Sequence, residues 1–209
     1  MHRRKALKNV AIGLGYITAT PTILNMLVSC TDKESTWTPL FLTLEEKHIV
    51  THLVDVIIPV SEIPGALDVN VPQFIDLIYN DIKSNDEKTL FKSGCNLFSK
   101  DFSKTFIKEA SEGNKDDFEQ ILSTYFNLSN EDCDALLKQQ KQVINNISET
   151  DIDKYTVYKF LLSVRYYSIF GFINSDKIGE EILAYDPIPG TYNGCLSVSE
   201  ATNGRAWSL

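Results

Sequence analysis

The chain has 209 residues, with 20 Lys+Arg against 28 Asp+Glu and a formal net charge of -8. That length allows one folded domain with an appended segment. A hydrophobic share of 43% with 11% aromatic residues excludes wholesale disorder. The acidic balance excludes a nucleic-acid binder, because neutralising phosphates takes a basic surface.

The charge is unevenly spread. Residues 1–30 contain Arg3, Arg4, Lys5 and Lys8 and no acid, whereas the other 16 basic residues are mixed with all 28 acidic ones. A mostly apolar run follows from Val10 to Val28, broken by Gly13, Gly15, Thr18, Thr20, Pro21, Thr22 and Asn25. A charged stretch and then an apolar one is the build of an export signal. A permanent spanning helix needs about 20 predominantly apolar residues, and this run is too polar and too interrupted to supply them. Arg3-Arg4-x-x-Leu7-Lys8 resembles the twin-arginine signal, which exports proteins already folded. Leu27-Val28-Ser29-Cys30 resembles a bacterial lipobox, with cleavage before Cys30 and acyl chains on its sulfur. The expected organisation is a signal peptide over 1–29, a polar tether over 30–40 and a helical domain over 41–209. Lipid would hold that domain on the periplasmic side of the envelope of a Gram-negative bacterium.

Cysteine usage adds little chemistry. Beyond Cys30 stand Cys95, Cys133 and Cys195, an odd number that allows at most one internal disulfide. No Cys-x-x-Cys pair occurs, so neither a thioredoxin-like site nor c-type haem attachment is supported. Cys95 and Cys133 fall in helical patterns and are expected to be small buried hydrophobes. Cys195 lies in a Gly-rich tail.

The body reads as an all-α fold, a compact helical bundle. Thr43-Leu-Glu-Glu46 is a capping box, followed by Ile49, Val50, Leu53, Val54, Ile57 and Ile58 at helical spacing up to Pro59. Residues 60–71, with Pro64 and Gly65, read as an ordered loop. Pro72 suits a first helical turn, and Phe74, Ile75, Ile78, Tyr79 and Ile82 form the next stripe. A third helix starts near Asp86 and carries Leu90, Phe91, Leu97 and Phe98. Phe102, Phe106 and Ile107 continue it after a break. Gly113 stops it, Asn114 caps a helix with Phe118, Ile121, Leu122 and Tyr125, and Ser129 caps another reaching from Cys133 to Ile147.

Tyr155–Phe172 is apolar almost all round, which marks a central helix buried in a bundle or docked against a partner. Lys159 and Arg165 argue against a membrane span there. Ser175 opens a short helix with Ile178, Ile182 and Leu183. The tail has no helical period and reads as an extended C-terminal strap. Its Tyr185, Pro187, Pro189, Tyr192, Arg205 and Trp207 have the composition of a partner interface.

No self-sufficient catalytic constellation is legible, and no catalytic, cofactor-binding or metal residue is assigned. His48 and His52, four apart with Glu45 and Asp55 nearby, sketch a ligand cluster. Ile49, however, stands where the zinc His-Glu-x-x-His motif requires its base. Gly13-x-Gly15 lacks a preceding strand and lies in the signal segment.

Four stretches together resemble the gluconate 2-dehydrogenase subunit 3 family. They are Phe41-Leu-Thr-Leu-Glu-Glu-Lys-His-Ile49 through Val56-Ile-Ile-Pro59, then Pro64-Gly-Ala-x-x-x-x-Val-Pro72-x-Phe-Ile75. The aromatic helix through Phe170-Gly171 and the Ile178-Gly-x-x-Ile-Leu-x-Tyr-Asp-Pro187 approach to the tail complete the set. The resemblance covers roughly residues 40–195. It implies the small accessory subunit of a periplasmic sugar or polyol dehydrogenase, itself without a redox centre. Flavin (FAD) would sit in the large subunit and haem c in a third, cytochrome c subunit. The lipobox departs from the family pattern and implies a membrane partner through a lipid anchor. An independent envelope lipoprotein serving as a binding or scaffold module is the alternative.

Overall fold

The computed structural model divides the chain into two units, Met1–Trp37 and Thr38–Leu209. It describes residues 37–186, 188, 190 and 195–208, which apart from Trp37 belong to the second unit. Arg3, Arg4, Leu7, Lys8 and Cys30, and Pro187, Pro189 and Tyr192 of the strap, lie outside the described residues.

The unit is all-α. Helix α1 (Leu44–Ile57) begins at the expected capping box. The Thr43 hydroxyl accepts the Glu46 N–H at 3.2 Å, and Glu46 Oε2 accepts the Thr43 N–H at 2.7 Å. The loop after it carries a 3₁₀ turn at Leu67–Val69, and α2 (Val71–Leu77) follows with Pro72 in its first turn. Helix α3 (Asn85–Phe106) is capped by a Ser84/Glu87 box and runs on without the expected break. Ile107 stops it in a left-handed conformation (φ 55°), with its side chain 93% exposed rather than in the stripe. After a 3₁₀ turn at Ala110–Glu112 come α4 (Lys115–Phe126), capped by Asn114 and Asp117, and α5 (Asn130–Gln140), capped by Ser129.

Helix α5 ends well before Ile147. The Lys159 ammonium donates to the Gln140 carbonyl at 2.6 Å, and the Tyr155 hydroxyl donates to the Gln142 carbonyl at 2.9 Å. Carbonyls served from outside have no need of another helical turn. Val143 is consequently exposed, and a 3₁₀ turn takes up Ile144–Asn146. Helix α6 (Ile152–Ile173) is the expected central element: it packs on α3 and α2, and also against α1 and α5.

Two π-helical segments were not legible. The first, Ile78–Ile82, continues α2; its wider turn shifts the register, so Tyr79 is buried while Ile82 points out of the stripe into solvent. The second, Lys177–Ile182, is the short element after Ser175. The described ends of the strap pair with each other: the Ala184 N–H donates to the Ala206 carbonyl and the Ser208 N–H to the Ala184 carbonyl, both at 2.8 Å. It holds one helical turn that the sequence reading did not include, α7 (Val198–Thr202). Ser197 and Glu200 start it with a capping box, and Asn203 and Gly204 end it at positive φ.

The core is a chain of rings. Phe41 stacks on Tyr79 at 5.3 Å and Tyr79 meets Phe91 at 4.1 Å; Phe91 meets Phe160 edge-on at 4.9 Å. Phe98 lies 6.0 Å from Phe160, and Phe102 lies 4.9 Å from Phe118. Burial pushes the Tyr79 hydroxyl up to about 12, so it stays neutral. Cys95 is buried as expected, but Cys133 is exposed, because α5 turns that face toward an open pocket.

Gly94 sets the spacing of the main helix pair. A Cβ there would lie 2.5 Å from the Phe160 Cβ and 2.6 Å from the Thr156 carbonyl oxygen. Gly94→Ala must therefore push α3 and α6 apart. It is expected to lower stability by about 1–3 kcal/mol despite alanine's better helix propensity, read as a lower midpoint in urea denaturation.

The segment leading into α1 is pinned by a charge. Asp76, on α2 and 1% exposed, accepts the backbone N–H groups of Leu40, Phe41 and Leu42 at 2.8, 3.0 and 2.8 Å. Lys92 adds to the same clamp by donating to the Phe41 carbonyl at 2.7 Å, pairing with Glu46 and lying 4.3 Å over the Phe41 ring.

Candidate partner interface

The histidine pair serves packing. His52 stacks on Phe118 with ring centroids 5.0 Å apart, and the two histidine rings lie 4.2 Å apart. His48 Nε2 donates to the Gly113 carbonyl at 2.9 Å and His52 Nδ1 donates to the His48 carbonyl at 3.0 Å. A carbonyl can only accept, so each of those nitrogens carries a proton. Among the described residues no group of three or more His, Cys, Asp or Glu side chains is placed to hold a metal ion. Nearby, Asp55 pairs with Lys115 at 2.7 Å and Asp117 with Lys108 at 2.6 Å.

Burial holds the His52 pKa below its ordinary 6.5, and the bond to His48, with Asp55 and Asp117, only partly offsets this. A depressed histidine contributes stability that is present above the unfolded pKa of 6.5 and lost as pH falls through the folded value. Wild type is therefore expected to lose urea resistance between about pH 7 and about pH 5 more steeply than His52→Phe, which keeps the ring on Phe118 and cannot take up the proton. Parallel slopes for the two proteins would show that His52 does not drive the loss.

The surface is distinguished by apolar side chains. The first half of α6 is enclosed: Tyr155, Val157, Tyr158, Phe160 and Leu161 are buried. The second half is two-sided. Val164, Ser168, Gly171 and Phe172 face the bundle, where a Cβ on Gly171 would lie 2.6 Å from the Phe74 ring. Outward stand Tyr166, 59% exposed, Ile169 and Phe170, 41% exposed. Tyr166 and Phe170 lie one turn apart with nearly parallel rings, 6.1 Å between centroids and 8° between planes. Phe74 of α2 meets Phe170 at 6.1 Å, and Leu77, one turn further along α2, is also exposed. A row of ordered aromatic rings facing water is the material of an interface centre.

The strap offers a second apolar surface. Tyr185 and Trp207, 52% and 53% exposed, flank the paired backbone of Ala184 and Ala206. Ile188, Leu196 and Val198 are exposed as well. Arg205 is held by its own strap, its Nε donating to the Thr202 carbonyl at 3.4 Å. Of the strap residues proposed from the sequence, Tyr185, Arg205 and Trp207 are therefore outward-facing.

Tyr166, Ile169 and Phe170 were missed as individuals, because a helix apolar all round does not announce which side is covered. The small residues Ser168 and Gly171 were the available signal. Placed three apart, they mark the side where another helix comes close, and the large rings opposite are left for something else. Among the described residues no helix is long and apolar enough to cross a membrane.

A helical unit that presents exposed rings and a hydrogen-bonded strap has apolar surface suited to contact with another protein. The family model described as gluconate 2-dehydrogenase subunit 3 matches residues 44–190, and the chain belongs to that family. Its members are thus subunits of an oxidoreductase complex. No curated protein and no solved structure matches the chain. The matched stretch contains α1 to α6, with the Tyr166–Phe170 row, and Tyr185; α7, Arg205 and Trp207 lie beyond it.

Proposed function

We propose that this chain is the non-catalytic accessory subunit of a flavin-dependent sugar or polyol dehydrogenase, which it escorts out of the cell, helps to mature and holds at the envelope. The family membership carries the reading. The exposed row on α6 supports it, since it lies in the matched stretch and gives a large subunit a surface to bury. In this scheme FAD belongs to the large subunit, and a cytochrome c subunit with haem c accepts the electrons. The twin-arginine-like Arg3, Arg4, Leu7 and Lys8 would take the folded pair across the membrane together, and acyl chains on Cys30 would retain it on the periplasmic side.

The direct test is to tag the C-terminus, extract membranes gently, and identify what co-elutes while recording a visible spectrum. A large partner with flavin absorption is the expected result; a colourless protein eluting alone would leave the independent-lipoprotein reading. Fractionation adds a second check. Arg3→Lys with Arg4→Lys is expected to strand both this chain and its partner in the cytoplasm. Cys30→Ser is expected to move the exported pair from the membrane to the soluble fraction. Normal export of the partner in the double-Lys variant would refute the escort role.

A further inference from the structure

The described residues contain a cavity of about 600 Å³ that neither the core nor the proposed docking row uses. It lies between α1, α4, α5 and α6. Its floor is closed and apolar: Leu53, Leu161 and Val164 line it and are buried. Its polar lining, Asn130, Cys133 and Arg165, is confined to exposed residues. The size falls in the range of small-molecule sites, about 300–1,000 Å³. Water gains little on such a floor, because a bound water needs two or more polar partners.

Arg165 carries the second observation. It is a fixed positive charge in an acidic chain, and among the described residues it makes no hydrogen bond, ion pair or ring contact. No carboxylate lines the cavity among the described residues. A cation at the mouth and a hydrocarbon floor form a polarity gradient from solvent inward. The geometry points to a binding site for a single-headed anionic amphiphile: an unbranched hydrocarbon chain lies on the Leu53–Val164 floor, and its carboxylate is bound by Arg165. The site is independent of the α6 row, so it stands or falls separately from the accessory-subunit reading.

Cys133 provides the readout, since it lines the cavity and is exposed, and Cys195 is an exposed internal control in the strap. The full chain would be treated with N-ethylmaleimide in the presence of octanoate, decanoate or dodecanoate, and each cysteine followed by peptide mass spectrometry. Dodecanoate is expected to slow modification of Cys133 at least about tenfold and leave Cys195 unchanged. Affinity should rise about threefold to fourfold per added methylene, the step expected for burying each in an apolar site. Arg165→Ala, and dodecanol in place of dodecanoate, should each weaken protection about tenfold or more, the loss of one charge-assisted bond. Leu137→Trp, at an exposed lining position, should fill the site and remove protection while the circular dichroism spectrum stays helical. Equal protection in Arg165→Ala, no dependence on chain length, or equal slowing at Cys195 would each overturn the site. Protection by anionic phospholipid vesicles but not by free dodecanoate would overturn it too, and make this face a membrane contact.

Discussion

Asp76→Ala is expected to lower the stability of the helical unit by about 2–4 kcal/mol, the cost of orphaning buried donors after removing their common acceptor. The carboxylate lies 1% exposed and takes three consecutive N–H groups, from Leu40, Phe41 and Leu42. Three successive amides pointing at one place make an anion site, and the chain fills it with its own side chain. Alanine would leave all three donors without that acceptor, and two of them are only partly reachable by water. For a unit of this size the loss corresponds to a melting point lower by about 5–15 °C. Asp76→Asn keeps the shape but turns an N–H₂ group toward N–H donors, so it should fall between wild type and alanine. Hydrogen exchange gives the local check. The amides of 40–42 should exchange much faster in Asp76→Ala, while those in the middle of α6 change only as far as global stability does. Wild-type protection at 40–42 in the alanine variant would refute the clamp. The position also bears on the proposed anchor: residues 40–42 span the end of the tether read over 30–40, so Asp76 would be the point where a pull from a membrane is passed into the bundle.

How much of this was legible depends on how far apart the interacting groups lie in the chain. The caps at Thr43, Ser84, Asn114 and Ser129 are local, three residues from cap to partner. Of these, Thr43, Asn114 and Ser129 were read correctly from the sequence. The central helix was legible because its period never allows a polar face. Asp76 was not, because its partners lie 34–36 residues away and an acid in a first helical turn or on a polar face looks the same on paper. Gly94 gives no sign either: only the approach of Phe160 and Thr156 reveals why a mid-helix glycine stands there. The π segment at Ile78–Ile82 defeats a 3.6-residue period by construction, so Ile82 was placed on the wrong side. On the strap, composition singled out Tyr185 and Trp207, and both are exposed. The outward row on α6 needed the packing partner to be known first.

That row carries the largest effect expected on binding. Tyr166→Glu combined with Phe170→Glu should weaken association with the proposed large subunit at least about 100-fold, enough to abolish co-purification. Buried aromatic anchors commonly dominate an interface, and a charge placed there must be desolvated without a partner. The two rings stack on each other and project outward, and Phe170 also meets Phe74, so the double variant should lose about 1–2 kcal/mol and stay helical by circular dichroism. The informative comparison is with Trp207→Ala on the strap, beyond the family-matched stretch. If the family's common surface does the docking, the α6 double variant should release the partner, and Trp207→Ala should weaken it by less than about tenfold. The reverse order would shift the interface to the strap, and full retention of the partner by both variants would remove these apolar surfaces from the binding site. Export then separates docking from escort. A double variant that reaches the periplasm without its partner keeps its own signal and has lost only its cargo, because Arg3 and Arg4 are untouched while the contact that brings the large subunit along is gone.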